Sequence, residues 1–329
     1  MKLQIKAKQE NYEIEMQPIT QLVGIDFKKK GYIINSLVKH FSASKYMEYE
    51  NEMIDNIMLD TQQIGRKYFD VIHIRCREDM LNYLKLTKTS MLLKCVQNML
   101  NSYDMQIELN VIEGALARIY EQLNLEIHDN ISNISLSYDT EKIFDIVQQS
   151  KVKSDDGTEL ELLDNLKILN SILGLIEELQ EQNPQKQMVV IENIDHMLDY
   201  SEYKCFYEGA RLITEKRDVW FVLTTSLEGF VFIEEENICG INVINDMIYN
   251  IPPTERIVEF IRQQYPYYIE QDDDVLIEWM RLIIQKIGRY DIESDMRSNV
   301  VLKMINKSLC MSYKEKCSLN SMESSFLLH

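Results

Sequence analysis

Hydrophobic positions along the chain change their period more than once. From Leu3 to Ala7, Tyr12 to Met16 and Ile19 to Val23 they alternate or run together over about five residues, with Pro18 as punctuation. Period two marks strands, because successive side chains on an extended backbone point to opposite faces. A helix is predicted from about Tyr32 to His40, and Tyr68 to Arg75 reads as another strand, dense in β-branched and aromatic residues. From Glu78 to about Gln182 the period is helical. Two segments there carry heptad spacing: Met105, Leu109, Ile112, Leu116, Ile119 and Leu123, then Leu162, Leu166, Leu169, Leu173 and Ile176. Such seams predict two long helices packed side by side as a coiled-coil-like hairpin, each seam about three heptads long. Thr158 and Glu161 suit a capping box at the start of the second helix, just after the turn-forming Asp155-Asp156-Gly157.

Asn183-Pro184 ends the helical region. Met188-Val-Val-Ile-Glu192-Asn193 is then a continuous apolar run closed by an acid, the pattern of a parallel strand buried on both faces. Val219 to Ser226 repeats the scheme one helix later. Ile251-Pro-Pro-Thr254 marks a boundary. Beyond it, Thr254 to Gly288 reads as two helices separated by Tyr265-Pro-Tyr-Tyr268 and the acidic run Gln271 to Asp274, and Ser298 to Leu309 as one more. The serine-rich last dozen residues lack a period and read as disordered. The predicted class is α/β: a head formed by residues 1–82 and 186–252, a helical leg at 83–185 inserted between them, and a C-terminal helical extension at 253–329.

Composition adds little beyond a soluble, core-forming chain of 329 residues, 45% hydrophobic and 27% charged. No apolar segment suits a secretion signal or a membrane span, so a cytoplasmic location and no membrane partner are expected. The 6 cysteines are scattered without a Cys-x-x-Cys pair, which argues against a disulfide framework or a zinc site. Charge changes the picture more. The formal net charge is −18, yet residues 104–181 hold 17 acids against 5 bases. Residues 24–45 carry Lys28, Lys29, Lys30, Lys39 and Lys45 against Asp26 alone, and Arg66, Lys67, Arg75 and Arg77 follow around a single acid, Asp70. Basic islands beside an acidic body are compatible with a polyanionic partner.

The candidate chemistry lies between the third strand and the first helix. Gly24-Ile-Asp-Phe-Lys-Lys-Lys-Gly31 has the outline of a Walker A loop, Gly-x-x-x-x-Gly-Lys-Ser/Thr, in which backbone N–H groups, a lysine and a magnesium-binding hydroxyl converge on phosphates. Gly24 and Lys30 stand in place. Lys29 replaces the second glycine and Gly31 the hydroxyl residue, so the predicted loop keeps its charge and loses its close approach and its metal ligand. Glu192, at the tip of the later apolar strand, has the form of a Walker B carboxylate.

In this order the chain resembles the Csn2 family of type II-A CRISPR systems, in its longer form with a C-terminal extension. The resemblance rests on Gln21 to Phe41, on Leu123-Asn-Leu-Glu-Ile-His-Asp-Asn-Ile131 with the segment to Val152, and on Lys186 to Asn193. It covers roughly residues 1–250. It implies a non-catalytic accessory protein of spacer acquisition, with no nucleotide cofactor, that forms a homotetrameric ring around the ends of linear double-stranded DNA. It further implies structural calcium, and an integrase and a type II effector nuclease as partners in adaptation. Contacts to a DNA backbone require lysines and arginines, and the candidates are Lys28, Lys29, Lys30, Lys39, Arg66 and Lys67. Asn124, Glu126 and Asp129 fall where the family's acidic leg places its ion and offer the oxygen ligands calcium takes. Two other readings remain: an ABC- or SMC-like ATPase using Lys30 and Glu192, and a scaffold whose heptad seams bind partner helices.

Overall fold

The computed structural model describes residues 1–7, 10–42, 45–130, 135–136, 146–227, 229–266, 268, 270–288 and 296–310. The chain divides into two units, residues 1–75 with 185–329 and residues 76–184. The terminal segment expected to be disordered lies outside the described residues from 311 onward.

The first unit opens with strands β1 (Lys2–Lys6), β2 (Asn11–Glu15) and β3 (Ile19–Val23), followed by helix α1 (Phe27–Phe41), short strands β4 (Ile57–Leu59) and β5 (Gln62–Gln63), and β6 (Asp70–Ile74). It resumes with β7 (Gln187–Ile191) and β8 (Val219–Thr224), which correspond to the two expected apolar strands, and ends its sheets with β9 (Ile241–Ile244) and β10 (Ile248–Asn250). A four-stranded antiparallel sheet has the order β2-β1-β4-β5, and a six-stranded one the order β10-β9-β3-β8-β7-β6. In the larger sheet β9, β3, β8, β7 and β6 are parallel and β10 closes an edge antiparallel. All five residues of β3 and of β7 are buried, as two-faced burial in a parallel sheet demands. The side chain of Asn242 ties the sheets together: its Oδ1 accepts from the Glu15 N–H at 3.0 Å and its Nδ2 donates to the Glu15 carbonyl at 3.1 Å.

Helix α1 belongs to both sheets. Ile33, Ile34, Leu37 and Phe41 share one core with Leu3, Ile5, Ile14 and Ile57 of the small sheet and Leu22, Val190 and Val222 of the large one. Its apolar spacing of one, three and four residues is the stripe of a helix with one face inward. The helix begins at Phe27, some five residues before the predicted start at Tyr32, because Asp26 caps it and the lysine run forms its first turn. In chain order the segment after β10 forms the last three helices, α7 (Thr254–Gln264), α8 (Asp273–Ile283) and α9 (Met296–Ser308). Ile257, Ile261, Leu276, Met280 and Leu302 share a core with Val23, Ile241 and Val243. The C-terminal helical extension thus shares a core with the strands of the head and falls in the same unit.

The second unit contains α2 (Arg77–Leu84), α3 (Met91–Leu100), α4 (Tyr103–Asn130) and α5 (Asn165–Gln182); α6 (Tyr200–Lys216) belongs to the first and packs on β8 and β3. The coiled-coil-like pairing of the two seams is not what the described residues show. Helix α5 buries Ile168, Leu169, Ile172, Leu173 and Ile176, and packs on α2 and α3. That stripe follows a period of 3.6, and it starts after Asp164, whose side chain accepts from the Lys167 N–H at 2.8 Å. The predicted box at Thr158 and Glu161 lies before the helix, and Leu162 is outside it and exposed. On α4, Met105, Ile112, Ile119 and Leu123 are all exposed.

This difference between the seams is measurable. Leu169→Ala, at a buried seam position, is expected to lower unfolding free energy by about 2–5 kcal/mol, the cost of a buried cavity. Ile119→Ala, at 51% exposure, is expected to stay within about 0.5 kcal/mol of the parent. Chemical denaturation of the two variants distinguishes a packed seam from an open one.

Candidate functional site

Loops at the carboxyl ends of parallel strands are where open α/β sheets gather chemistry, and the degenerate loop leaves β3 at such a point, between β8 and β9. Gly24 turns with φ +99°, and a Cβ there would lie 2.4 Å from the Ile244 carbonyl oxygen, so the backbone passes too close for any other residue. The loop then closes on itself. The Ile25 N–H donates to Asn245 Oδ1 at 2.8 Å, the Asp26 N–H to the Ile244 carbonyl at 3.1 Å and the Phe27 N–H to the Ile25 carbonyl at 2.8 Å. Asp26 takes two more: its carboxylate accepts from the Lys29 N–H at 2.9 Å and its carbonyl from the Lys30 N–H at 3.0 Å. Five of the six N–H groups of residues 25–30 are thus engaged inside the protein. The Asp26 carboxylate occupies the electropositive end of α1, the position at which a helix N-terminus would hold a phosphate.

The lysines divide sharply by environment. Lys30, 6% exposed, donates from Nζ to the Thr225 carbonyl at 2.7 Å. Burial lowers its pKa to about 8, against the opposing pull of Asp195 and Asp26. Lys29 is half-buried, donates to the Asp246 carbonyl at 2.5 Å and lies 3.5 Å from Glu10 and 3.9 Å from the Asp26 carboxylate. Lys28 is exposed, with no side-chain partner among the described residues.

At the other end of α1, Lys39 pairs with Glu50 at 3.1 Å. Arg66 donates to the carbonyls of Lys39, His40 and Ser42 at 3.2, 3.1 and 2.6 Å and lies 5.1 Å above the Tyr46 ring. It closes the helix C-terminus, whose last carbonyls lack intrahelical partners. Lys67 is exposed beside it. Of the six expected DNA contacts, then, Lys30 and Arg66 are committed to backbone carbonyls of the fold and Lys29 and Lys39 to internal pairs, while Lys28 and Lys67 face solvent.

The Walker-B-like carboxylate is also engaged. Glu192 follows β7, and its Oε1 lies 2.6 Å from Nε2 of His73 on the adjacent strand β6. Asn193 takes φ +50° and donates its N–H to Thr224 Oγ1 at 2.9 Å. Asp195 accepts from the Ser226 N–H at 2.8 Å and from its hydroxyl. Asn245, absent from the sequence reading, is the hinge of the whole arrangement: besides holding Ile25 it donates to the carbonyls of Gln285 and Ile287 in the C-terminal segment. Nothing local in the sequence marks it, since its partners lie 220, 40 and 42 residues away. Asp26 did carry a signal, an N-cap residue directly before a helical stripe.

Two of the expected calcium ligands, Asn124 and Glu126, can be placed in the structure. Asn124 Oδ1 accepts from the Leu136 N–H at 2.6 Å and its Nδ2 donates to the Leu136 carbonyl at 2.9 Å, so its amide holds returning backbone. Asn124 and Glu126 sit two residues apart on α4, about 200° around a helix, and face different directions. Asp129 is three positions beyond Glu126, and its side chain lies outside the described residues. Among the described residues no three His, Cys, Asp or Glu side chains converge as metal ligands. Cys76, Cys95, Cys205, Cys239 and Cys310 are free thiols, and no described helix is long and apolar enough to cross a membrane.

Residues 4–327 match the family described as CRISPR-associated protein Csn2, subfamily St. The chain belongs to the Csn2 family. A solved relative of the same fold, the crystal structure of Stu0660 of Streptococcus thermophilus, superposes with a TM-score of 0.86 at 20% sequence identity, covering 100% of this chain and 99% of that one. No curated protein matches the sequence. The match reaches through the C-terminal helices, further than the roughly 250 residues that carried the resemblance in sequence.

In this Csn2 chain Lys30 gives the loop a pH signature. Its folded pKa of about 8 is below the unfolded value of 10.5, so the unfolded chain holds the proton more tightly. The penalty for burying the charge is fully present below pH 8 and is relieved as pH rises from there to 10.5. Lys30→Met removes that dependence. The difference in unfolding free energy, wild type minus Lys30→Met, is expected to rise by about 3 kcal/mol between neutral pH and the far side of that window. Urea denaturation of both proteins across the range checks it, and a flat difference would place the lysine in water.

Proposed function

We propose that this Csn2 chain is a non-catalytic protein of spacer acquisition that assembles as a homotetrameric ring and binds the ends of linear double-stranded DNA without sequence preference. The observation that carries the reading is the state of the loop: a degenerate P-loop-like turn whose donors are spent on Asp26, Ile244 and Asn245, beside an exposed Lys28 that has no side-chain partner among the described residues. An ATPase of the ABC or SMC-like type needs those donors, a hydroxyl at position 31 and a carboxylate aimed at water. Gly31 supplies no hydroxyl, Lys30 holds a carbonyl and Glu192 holds His73.

A DNA backbone asks for less, only outward positive charge at repeated points. Lys28 at one end of α1 and Lys67 beside the other stand about 20 Å apart by the rise of a helix of this length, and four subunits multiply them around a duplex. The acidic residues of 104–181 repel DNA from the rest of the surface. Glu126 and Asp129 are the part of the expected calcium set that helical spacing allows to act together. The integrase and effector nuclease of the adaptation machinery are the partners this reading entails. A second reading, a scaffold for partner helices, draws support from one observation, the open apolar seam of α4.

A gel-shift comparison of linear and closed-circular duplex, with calcium or with chelator, tests these readings on wild type and Lys28→Ala/Lys67→Ala. Salt-sensitive binding of linear DNA is expected, enhanced by calcium, absent for closed circles and weakened about tenfold or more in the double variant. Equal binding of circles would remove the ring on DNA ends. Equal binding by the variant would remove the two lysines, and no shift with calcium present would favour the scaffold.

A further inference from the structure

Two of the few lysines in the acidic stretch of the chain meet a third on an open cleft. Within the second unit, a cleft of about 460 Å³ is bordered by Lys85, Lys151 and Lys153, with Thr87 and Gln148 between them. Lys85 follows the last turn of α2. Lys151 and Lys153 are two apart on an extended stretch, the spacing that sends side chains to the same face. That stretch is held by a tight hairpin: Lys153 bridges to Glu159, the Ser154 N–H donates to the Thr158 carbonyl at 2.9 Å, and Gly157 turns with φ +84°. Glu161, which also borders the cleft, is held by Arg77, which donates to its carbonyl, to that of Leu163 and to the Asn165 side chain.

The lysines themselves have no such commitments. None of the three forms an ion pair or a side-chain hydrogen bond among the described residues. Glu159 and Glu161 also border the cleft, but neither closes an ion pair with them. Residues 104–181 contain only 5 bases against 17 acids, and two of those five are brought here to meet Lys85. Lys167, by contrast, lies 3.4 Å from its neighbour Asp164. Three unpaired ammonium groups outnumber the two carboxylates on the cleft, and a multivalent anion that pairs with them gains from the excess positive charge gathered there. Lysine suits phosphate as a mobile point charge with three donors. The cleft exceeds one phosphate in size and fits a short run of them.

We propose that this cleft binds consecutive phosphate groups, those of a nucleic-acid strand or of a free polyphosphate, at a site separate from the lysines of α1. The site stands independently of the proposed binding of duplex ends. It is tested on the full chain with a short fluorescent oligothymidylate followed by anisotropy at several salt concentrations, and with tripolyphosphate followed by calorimetry. Wild type is compared with Lys85→Gln/Lys151→Gln/Lys153→Gln and with the corresponding triple Arg variant, unfolding midpoints serving as the check on folding.

The Gln variant is expected to bind the oligonucleotide about tenfold or more weakly, with a log–log salt slope smaller by about 2, since each single-strand phosphate contact contributes about 0.7. The Arg variant is expected to retain binding. Oligonucleotide binding that tripolyphosphate fails to displace identifies a strand as the occupant; calorimetric binding of tripolyphosphate alone, lost in the Gln variant, identifies the free polyphosphate. Should the triple variant not fold, Lys151→Gln alone is expected to weaken binding about threefold. Binding of either probe with equal affinity and salt slope in wild type and Gln variant, or binding of neither probe to wild type, overturns the proposal.

Discussion

A helix N-terminus presents unsatisfied N–H groups and partial positive charge, and something negative must meet them. In nucleotide-binding loops a phosphate does so. Here the carboxylate of Asp26 does, accepting from Lys29 N–H one turn into α1. Once that anion is built in, the remaining features of the loop become consistent. The helix starts directly after Asp26, the turn from β3 shortens to Gly24 and Ile25, and the neighbouring donors find Ile244 and Asn245 at the end of β9. Lys30, released from any ligand, folds inward onto the Thr225 carbonyl and accepts the cost of burial.

The same constraint reaches the C-terminal helices. Asn245 is 2% exposed, and its amide spans from the loop to the carbonyls of Gln285 and Ile287 after α8; the Gln285 side chain in turn donates to the Gly229 carbonyl. A buried amide left half-satisfied costs more than the bond it replaces, so these elements hold one another in place. The C-terminal segment is thereby a structural part of the loop's surroundings. At the far end of α1, Arg66 gives the final carbonyls what Asp26 gives the first N–H groups, and the helix is capped by charge at both termini.

Much of this was legible in the sequence, and the failures have a common cause. Strands β3, β7 and β8 were visible because two-faced burial leaves an unbroken apolar run, and the Csn2 family followed from the order of those runs around the degenerate loop. Lys30 and Arg66 were read as DNA contacts because composition reports charge but not direction, and the structure gives both to backbone carbonyls. Lys30 occupies the same stripe as Ile33, Ile34 and Leu37, a spacing that placed it on the buried face once the helix was known to begin at Phe27. The seams of α4 and α5 have equal periodicity and opposite fates. A heptad records only that a helix has an apolar face; which surface covers it is settled by partners such as α2 and α3, tens of residues away in sequence. The role of Asn245 had no local trace at all.

The central claim is that the site at β3 has exchanged a nucleotide for an internal carboxylate while outward lysines remain for a polymer of phosphates. Equilibrium dialysis of magnesium ATP against the full chain, with linear duplex DNA as the parallel ligand, tests it most directly. No saturable uptake of ATP up to millimolar concentration, alongside salt-sensitive retention of the duplex, is the result the account predicts. Stoichiometric ATP binding that is lost in Lys30→Met would contradict it, since it would show that the loop opens and the buried lysine still turns to phosphate.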